Sequence, residues 1–139
     1  VLRYPNVYGP RQDPTGEGGV VAIFSRRILG GEQVVINGNG EQERDFLHVA
    51  DVVRANILAQ DRLDGQTYNV GTGVGTSVND LFALMASKSG YAGEPFYGPP
   101  KPGETFKIYL DATKARTELG WQPEVGLEQG LRATIASYS

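Results

Sequence analysis

The sequence between residues 67 and 77 reads Thr67-Tyr68-Asn69-Val70-Gly71-Thr72-Gly73-Val74-Gly75-Thr76-Ser77. Its β-branched and aromatic start predicts a strand over Thr67–Val70. The glycine-rich loop then leads to Ser77, a residue type that commonly caps a helix. Apolar residues follow at helical spacing, and Gly90 marks the expected end of that helix. A strand, a loop and a helix in this order are the repeating unit of α/β proteins.

The same alternation extends to both sides of this segment, without an internal repeat or a low-complexity tract. Strands are predicted at Val1–Val7 (as a buried strand), Val34–Ile36, near Phe46–Val49, and at Phe106–Leu110. Helices are predicted from Val20 to Gly30, from Asp51 through Ala59, from Asp111 to Gly120, and along the stripe of Leu127, Leu131 and Ile135. Turn residues at 37–40 separate two of the strands. The sequence therefore predicts an α/β fold.

Composition narrows the function classes. The chain has 139 residues, 40% of them apolar, which suits one domain or a piece of a larger one. A net charge of −3 argues against a nucleic-acid partner. The absence of cysteine excludes disulfides and thiolate metal sites, and it fits a cytoplasmic location. No apolar run approaches the length of a membrane span, so no membrane partner is expected.

The loop Gly71–Gly75 admits two interpretations. A glycine-rich turn between a strand and a helix can present backbone N–H groups to a phosphate. Thr76 breaks the G-x-G-x-x-G pattern of dinucleotide-binding loops, so a tight strand-to-helix turn is the simpler interpretation.

Few side chains suggest acid–base or metal chemistry. His48 is the only histidine, lies in a strand pattern and cannot form a metal cluster alone, so we expect a structural role and no metal site. Asp13, Glu17, Glu41 and Glu43 fall in predicted loops or turns. Solvated charge is the expected state of these carboxylates, although the fold could bring a pair of them together.

Arg44 lies where a predicted turn joins a strand. The planar fork of a guanidinium can hold a phosphate bidentately, which lysine cannot do. A surface ion pair of Arg44 with Asp45 or Glu43 is an equal alternative on the residues alone.

Several segments, taken in order, resemble the nucleotide-sugar epimerase/dehydratase family, the extended short-chain dehydrogenases/reductases, with the UDP-glucose 4-epimerase branch as the nearest type. The resemblance covers essentially the whole chain. The segments that carry it are Arg3–Gln12 (RYPNVYGPRQ), Gly19–Phe24 (GVVAIF), Ile36–Phe46 (INGNGEQERDF), Tyr68–Gly73 (YNVGTG), and Lys101–Glu104 (KPGE) followed by Asp111–Ala115 and Leu119–Trp121.

The resemblance implies that residues 1–139 form the C-terminal, sugar-nucleotide-binding part of such an enzyme, with the last strand or strands of its Rossmann sheet. The NAD-binding domain and the catalytic Tyr-x-x-x-Lys pair would lie upstream and be absent from this chain. Tyr97 and Lys101 match that string, but two prolines between them exclude a helix. NAD is therefore expected in the full-length protein, without tight binding to this chain, which should be inactive alone.

Family positions also imply a substrate site for a UDP-sugar. Pro5 matches a position beside the nicotinamide, and Asn6 matches a diphosphate-binding asparagine. The strand Val35, Ile36 and Asn37 would line the uracil through backbone groups. Arg44 would hold the diphosphate, and Lys101 and Glu104 would contact phosphate and ribose. Asn69 resembles a nucleotide contact of related dehydratases.

Other functions remain open at this point. The same resemblance fits a nucleotide-sugar dehydratase or decarboxylase, and the chain could also be a non-catalytic sugar-nucleotide-binding or interaction module. The predicted strand Val1–Val7 would expose a backbone edge if its neighbours were missing. We therefore expect homo-oligomers that form through this N-terminal strand.

Overall fold

A computed structural model describes residues 1–62 and 65–139 and contains nine short strands and five helices over those residues. The strands are β1 (Leu2–Arg3), β2 (Asn6–Tyr8), β3 (Val35–Asn37), β4 (Glu43–Arg44), β5 (Phe46–His48), β6 (Tyr68–Asn69), β7 (Thr76–Ser77), β8 (Phe96–Gly98) and β9 (Lys107–Ile108). The helices are α1 (Val20–Leu29), α2 (Val49–Ala59), α3 (Val78–Ser89), α4 (Thr113–Leu119) and α5 (Leu127–Ser137). The predicted α/β class is confirmed.

Most strand pairs are parallel, as expected where helices connect the strands. The parallel pairs are β1–β6, β2–β5, β3–β8 and β4–β9, and β4 also pairs antiparallel with β7. Strand β4 is therefore the centre of a three-stranded sheet.

The prediction of one buried strand over Val1–Val7 is wrong. The segment divides at Tyr4 and Pro5 into β1, which pairs with β6, and β2, which pairs with β5. Proline has no N–H for a ladder, so it suits the point where a chain changes partner. Val1 is 79% exposed and Tyr4 40%. Association of copies through this segment stays a prediction.

Helices α1, α3 and α4 end at the predicted glycines, whereas the start of α2 differs from its prediction. The Ser77 hydroxyl accepts a hydrogen bond from Asp80 N at 3.0 Å, and α3 stops at Gly90, whose φ is +72°. Helix α4 ends at Gly120 with φ +67°. Helix α2 begins two residues before the predicted Asp51, because His48 Nδ1 accepts the Ala50 N–H at 3.1 Å and serves as the cap.

Two hydrophobic clusters support the fold. The first joins α1, α3 and α5 to β3 and contains Phe24, Ile36, Leu81 and Leu131. The second lies between α2, α4 and the strands β5 and β6, and Trp121 is fully buried in it. No helix within the described ranges is long and apolar enough to cross a bilayer.

Gly130 of α5 allows the helix to pack directly against Tyr8 of β2 and His48 of β5. Its Cα faces Tyr8 and His48, whose rings pack edge to face with centroids 5.4 Å apart. A Cβ at residue 130 would overlap the Tyr8 hydroxyl and lie 3.0 Å from His48 Cδ2. The burial of Tyr8 therefore depends on the absence of a side chain at residue 130.

We expect Gly130→Ala to lower the free energy of unfolding by about 1–3 kcal/mol, because overpacking outweighs the gain in helix propensity. Urea denaturation followed by circular dichroism measures the change. Gly126→Ala is the control, since a Cβ there meets nothing within 4 Å. An equal effect of the two substitutions would contradict the overpacking explanation.

Candidate functional site

A cavity of about 480 Å³ lies between α1, β3 and the C-terminal end of β4. It brings together most of the predicted substrate-binding residues, namely Asn6, Val35, Ile36, Asn37, Arg44, Lys101 and Glu104. A second cavity of about 520 Å³ adjoins it and shares four lining residues with it: Asn37, Gln42, Lys101 and Glu104. One continuous depression is thus built from segments that lie far apart in sequence.

Two predicted residues do not line this cavity. Pro5 is half-buried and sits between β1 and β2, next to Asn6. Asn69 lies on β6, opposite Arg3 of β1. Asn69 thus belongs to the β1–β6 pair, whereas Pro5 directly precedes Asn6, which lines the cavity.

Arg44 is the most enclosed cation of the cavity, with a side chain only 12% exposed. Its NH1 group donates to the carbonyl of Glu43 at 2.8 Å and, more weakly, to that of Phe106 at 3.5 Å. Its NH2 group donates to Glu104 Oε1 at 3.0 Å. The ion pair considered with Asp45 or Glu43 is therefore made with Glu104, while the Glu43 carboxylate pairs with Lys107.

Asp45 follows Arg44 and faces the interior, where it is fully buried. Its Oδ1 accepts hydrogen bonds from the N–H and the hydroxyl of Thr72, at 3.1 and 2.6 Å. Its Oδ2 accepts from Gly73 N at 3.0 Å and from Leu110 N at 3.2 Å. A Cβ on Gly71 would lie 2.6 Å from this oxygen.

The glycine-rich loop is therefore a structural turn. Its Thr72 and Gly73 N–H groups already bind the Asp45 carboxylate, an internal anion, so they do not face a phosphate. The interpretation as a tight turn, which the sequence favours, therefore fits the structure, and the close approach of Asp45 explains the glycine at position 71.

Sequence reasoning missed two contributors to the cavity. Gln42 is 8% exposed and donates its Nε2 to the carbonyl of Asn37 at 3.0 Å, which fixes the end of β3. Gly18 and Gly19 bring the N-terminus of α1 to the cavity wall. Helix α1 has neither a side-chain cap nor an acidic residue in its first turn, so its positive end is left for an anion. The Gly-Gly pair before Val20 was the available signal.

The remaining candidate side chains make contacts that support the fold. Burial lowers the pKa of His48, and its Nδ1 caps α2 as described above. Tyr97 lies on β8, in extended backbone, and donates its hydroxyl to Asn79 Oδ1 at 2.8 Å. Among the residues that the structure describes, no cluster of three or more acidic or histidine side chains could hold a metal.

The cavity has a charged end and an apolar wall. Arg27, Arg44 and Lys101 line it together with the two carboxylates of Glu17 and Glu104. The apolar wall comes from both α1 and β3, with Val20, Ile23, Phe24, Val35 and Ile36. Such a surface suits a ligand that joins a flat organic ring to a multiply charged anion.

Comparisons with known proteins agree with this chemistry. The family model described as NAD dependent epimerase/dehydratase family matches residues 1–71. The UDP-glucose 4-epimerase of Mycolicibacterium smegmatis is 48% identical over 94% of this chain, which covers 42% of that protein. The chain thus spans less than half the length of this curated relative.

Solved structures are similar over almost all of the chain. The UDP-glucose 4-epimerase of Thermotoga maritima, determined with UDP-glucose, matches 99% of this chain at 55% identity with a TM-score of 0.97, and 44% of that structure is covered. The Thermus thermophilus UDP-glucose 4-epimerase, in complex with NAD, matches 99% of this chain at 42% identity with a TM-score of 0.89. This chain covers 45% of the Thermus protein.

Proposed function

Because the chain belongs to the NAD dependent epimerase/dehydratase family, we propose that it forms the UDP-sugar-binding part of a nucleotide-sugar epimerase of the UDP-glucose 4-epimerase type. The observation that carries the proposal is the cavity beside Arg44. It joins the largely buried guanidinium, whose side chain is 12% exposed, to an apolar wall within about 480 Å³. A neutral sugar alone carries no negative charge that could pair with the cations at this end of the cavity.

The predicted substrate-binding residues of the cavity then have distinct roles. Arg44 and the free first turn of α1 compensate the charge of the diphosphate. Asn6 adds an uncharged amide donor near the same group. Strand β3, with Val35, Ile36 and Asn37, lines the uracil through its backbone groups. Lys101 contributes a second cation, as a point charge without the bidentate geometry of arginine.

The described residues offer only the edge of a site for NAD. We propose that Pro5 borders the nicotinamide, and that Asn69 makes an outer contact with a nucleotide. A dinucleotide pyrophosphate needs a cradle of backbone N–H groups. The glycine-rich loop that could provide one uses two of its N–H groups to bind Asp45. The fit to NAD is therefore partial in the described part of the chain.

The mechanism of this part is positioning. Arg44 and the α1 N-terminus hold the diphosphate, and the apolar wall removes one face of the base from water. The hexose is thereby directed to the cavity mouth near Asn6. NAD, when bound to the complete enzyme, supplies the oxidation and reduction needed to invert a sugar carbon.

Arg44→Ala is expected to weaken the binding of UDP by about 10- to 150-fold, equivalent to about 1.5–3 kcal/mol, because it removes charge-assisted hydrogen bonds. Isothermal titration calorimetry with UDP measures the change. Arg26→Ala is the matched control, since Arg26 lies on α1 outside this cavity. Equal UDP affinity in the wild type and Arg44→Ala would contradict the proposed role of the cavity.

A further inference from the structure

The turn between β3 and β4 is supported from outside the β3–β8 pair. Strand β3 pairs with β8, and the last backbone contact of that pairing joins Gly38 N to Gly98 O at 3.0 Å. Beyond this contact the chain leaves the ladder, although Asn39 and Gln42 still line the second cavity. The position of residues 39–42 therefore depends on another element.

Helix α3 supplies the support through Asn79, in its first turn. The Asn79 N–H donates to Gly40 O at 3.0 Å, which uses one of the N–H groups that the start of a helix leaves free. Its side-chain Nδ2 donates to Asn39 O at 2.9 Å and to Glu41 Oε1 at 2.6 Å. A Cβ on Gly40, whose φ is +75°, would overlap Asn79 Oδ1, so the turn lies directly against the amide. One asparagine thus holds three successive residues of the turn.

The same amide is bound to the opposite rim of the cavity. Tyr97 of β8 donates its hydroxyl to Asn79 Oδ1 at 2.8 Å. Strand β8 ends at Gly98, and the chain continues to Pro100 and Lys101; these three residues line the second cavity. The orientation of the amide is fixed, because a carbonyl oxygen in the place of Nδ2 would face a backbone carbonyl and a carboxylate. Neither Asn79 nor Tyr97 lines the cavity itself.

The two cavities differ in charge. Arg44 lines the first cavity and not the second, where Lys101 is the one cation among the described residues. Asn37 and Gln42 line both cavities. In the proposed function, a nucleotide whose diphosphate lies beside Arg44 therefore extends its uncharged nucleoside along β3 toward Asn37 and the second cavity.

We propose that Asn79 is a positioning residue that, together with Tyr97, fixes the two rims of the second cavity relative to each other and so preorganises it for the nucleoside end of the ligand. This inference rests on the proposed function of the cavity. Without the amide, the turn and the segment after β8 have to be ordered when the ligand binds, which lowers the affinity. A ligand that lacks a nucleoside does not require this ordering.

The test compares UDP with inorganic pyrophosphate on the full chain, by calorimetric titration with UDP and by competition of pyrophosphate against it. For Asn79→Ala we expect UDP to bind about three- to tenfold more weakly, while pyrophosphate affinity stays within about twofold of the wild type. Tyr97→Phe removes one hydroxyl from a half-exposed side chain and should reproduce part of the loss for UDP. The double variant should lose no more than Asn79→Ala alone, because both substitutions break the same bridge. A general loss of stability would weaken both ligands alike.

Two control substitutions make the same chemical changes away from the cavity. Asn56→Ala removes an amide on α2 that donates to Val52 O at 2.9 Å, and Tyr91→Phe removes a hydroxyl that donates to Glu32 O at 2.9 Å. UDP affinity should stay within about twofold of the wild type in both controls. A loss as large as that of the two test variants would overturn the proposal.

Further outcomes separate this inference from the proposed function. If UDP binding depends on Arg44 but is unchanged in Asn79→Ala and Tyr97→Phe, Asn79 does not position the cavity, and the proposed function stands. Equal losses for UDP and pyrophosphate in Asn79→Ala lead to the same conclusion. If Asn79→Ala does not fold, the ratio of the two affinities in Tyr97→Phe decides the proposal in the same way. If UDP does not bind the wild type, both proposals are wrong.

Discussion

Replacement of Asp45 with alanine is expected to lower the free energy of unfolding by at least about 3 kcal/mol. The carboxylate is fully buried and accepts four hydrogen bonds, three of them from backbone N–H groups. Alanine removes the buried acceptor of these partly buried donors, and each donor that water does not reach costs about 1–3 kcal/mol. Chemical denaturation followed by circular dichroism gives the loss directly.

Asp13 provides the control for this prediction. It accepts hydrogen bonds from the N–H and the hydroxyl of Thr15, at 2.8 and 2.6 Å, just as Asp45 does from Thr72. These contacts are exposed, so water replaces them in Asp13→Ala, and we expect a loss below about 1 kcal/mol. Similar losses for the two variants would show that burial does not set the importance of Asp45.

Trp121→Ala is expected to destabilise the chain by about 3–5 kcal/mol, because it opens a large cavity in the second cluster. The indole is fully buried and donates its Nε1–H to the carbonyl of Asp51 at 2.9 Å. Since Trp121 is the only tryptophan, circular dichroism must replace fluorescence as the probe.

Phe106→Ala is a suitable comparison for Trp121→Ala. Phe106 is 53% exposed, so its removal should cost less than about 1 kcal/mol. A stability of Trp121→Ala close to that of Phe106→Ala would mean that the cluster around α2 and α4 contributes little to folding.

Local sequence signals predicted much of the fold. Ser77 and Gly90 cap the two ends of α3 and interact only with residues close to them in sequence. The apolar residues of α5 recur at each turn and therefore mark the buried face of the helix. Such features depend on residues that are neighbours in sequence, so a single chain reveals them. The turn residues Gly38 and Gly40 likewise adopt the expected positive φ, +70° and +75°.

The failures concern contacts between distant segments. The strand-forming residues of Val1–Val7 predict one strand, whereas the pairing partner changes from β6 to β5 at Pro5. Asp45 was considered only as a partner of the adjacent Arg44, but its partners lie at Thr72, Gly73 and Leu110. Composition and periodicity contain no information on such long-range pairing.

The candidate site shows the same division. From the residues alone, phosphate binding and a local ion pair are equal interpretations of Arg44. Only the fold shows that Glu104 pairs with its NH2 group. The resemblance to a family, by contrast, anticipated that Asn6, Ile36 and Lys101 belong together, and the structure brings these residues to one cavity. Their roles toward a ligand stay proposals.

The division of the first strand at Pro5 also bears on the order of assembly. Asn6 pairs with Phe46, and Leu2 pairs with Tyr68. Each strand pair can form only after the long loop between its two strands has closed. A single helical turn, by contrast, joins residues that are neighbours in sequence and forms much faster. The part of the cavity wall that Asn6 supplies is therefore completed only after these long loops have closed.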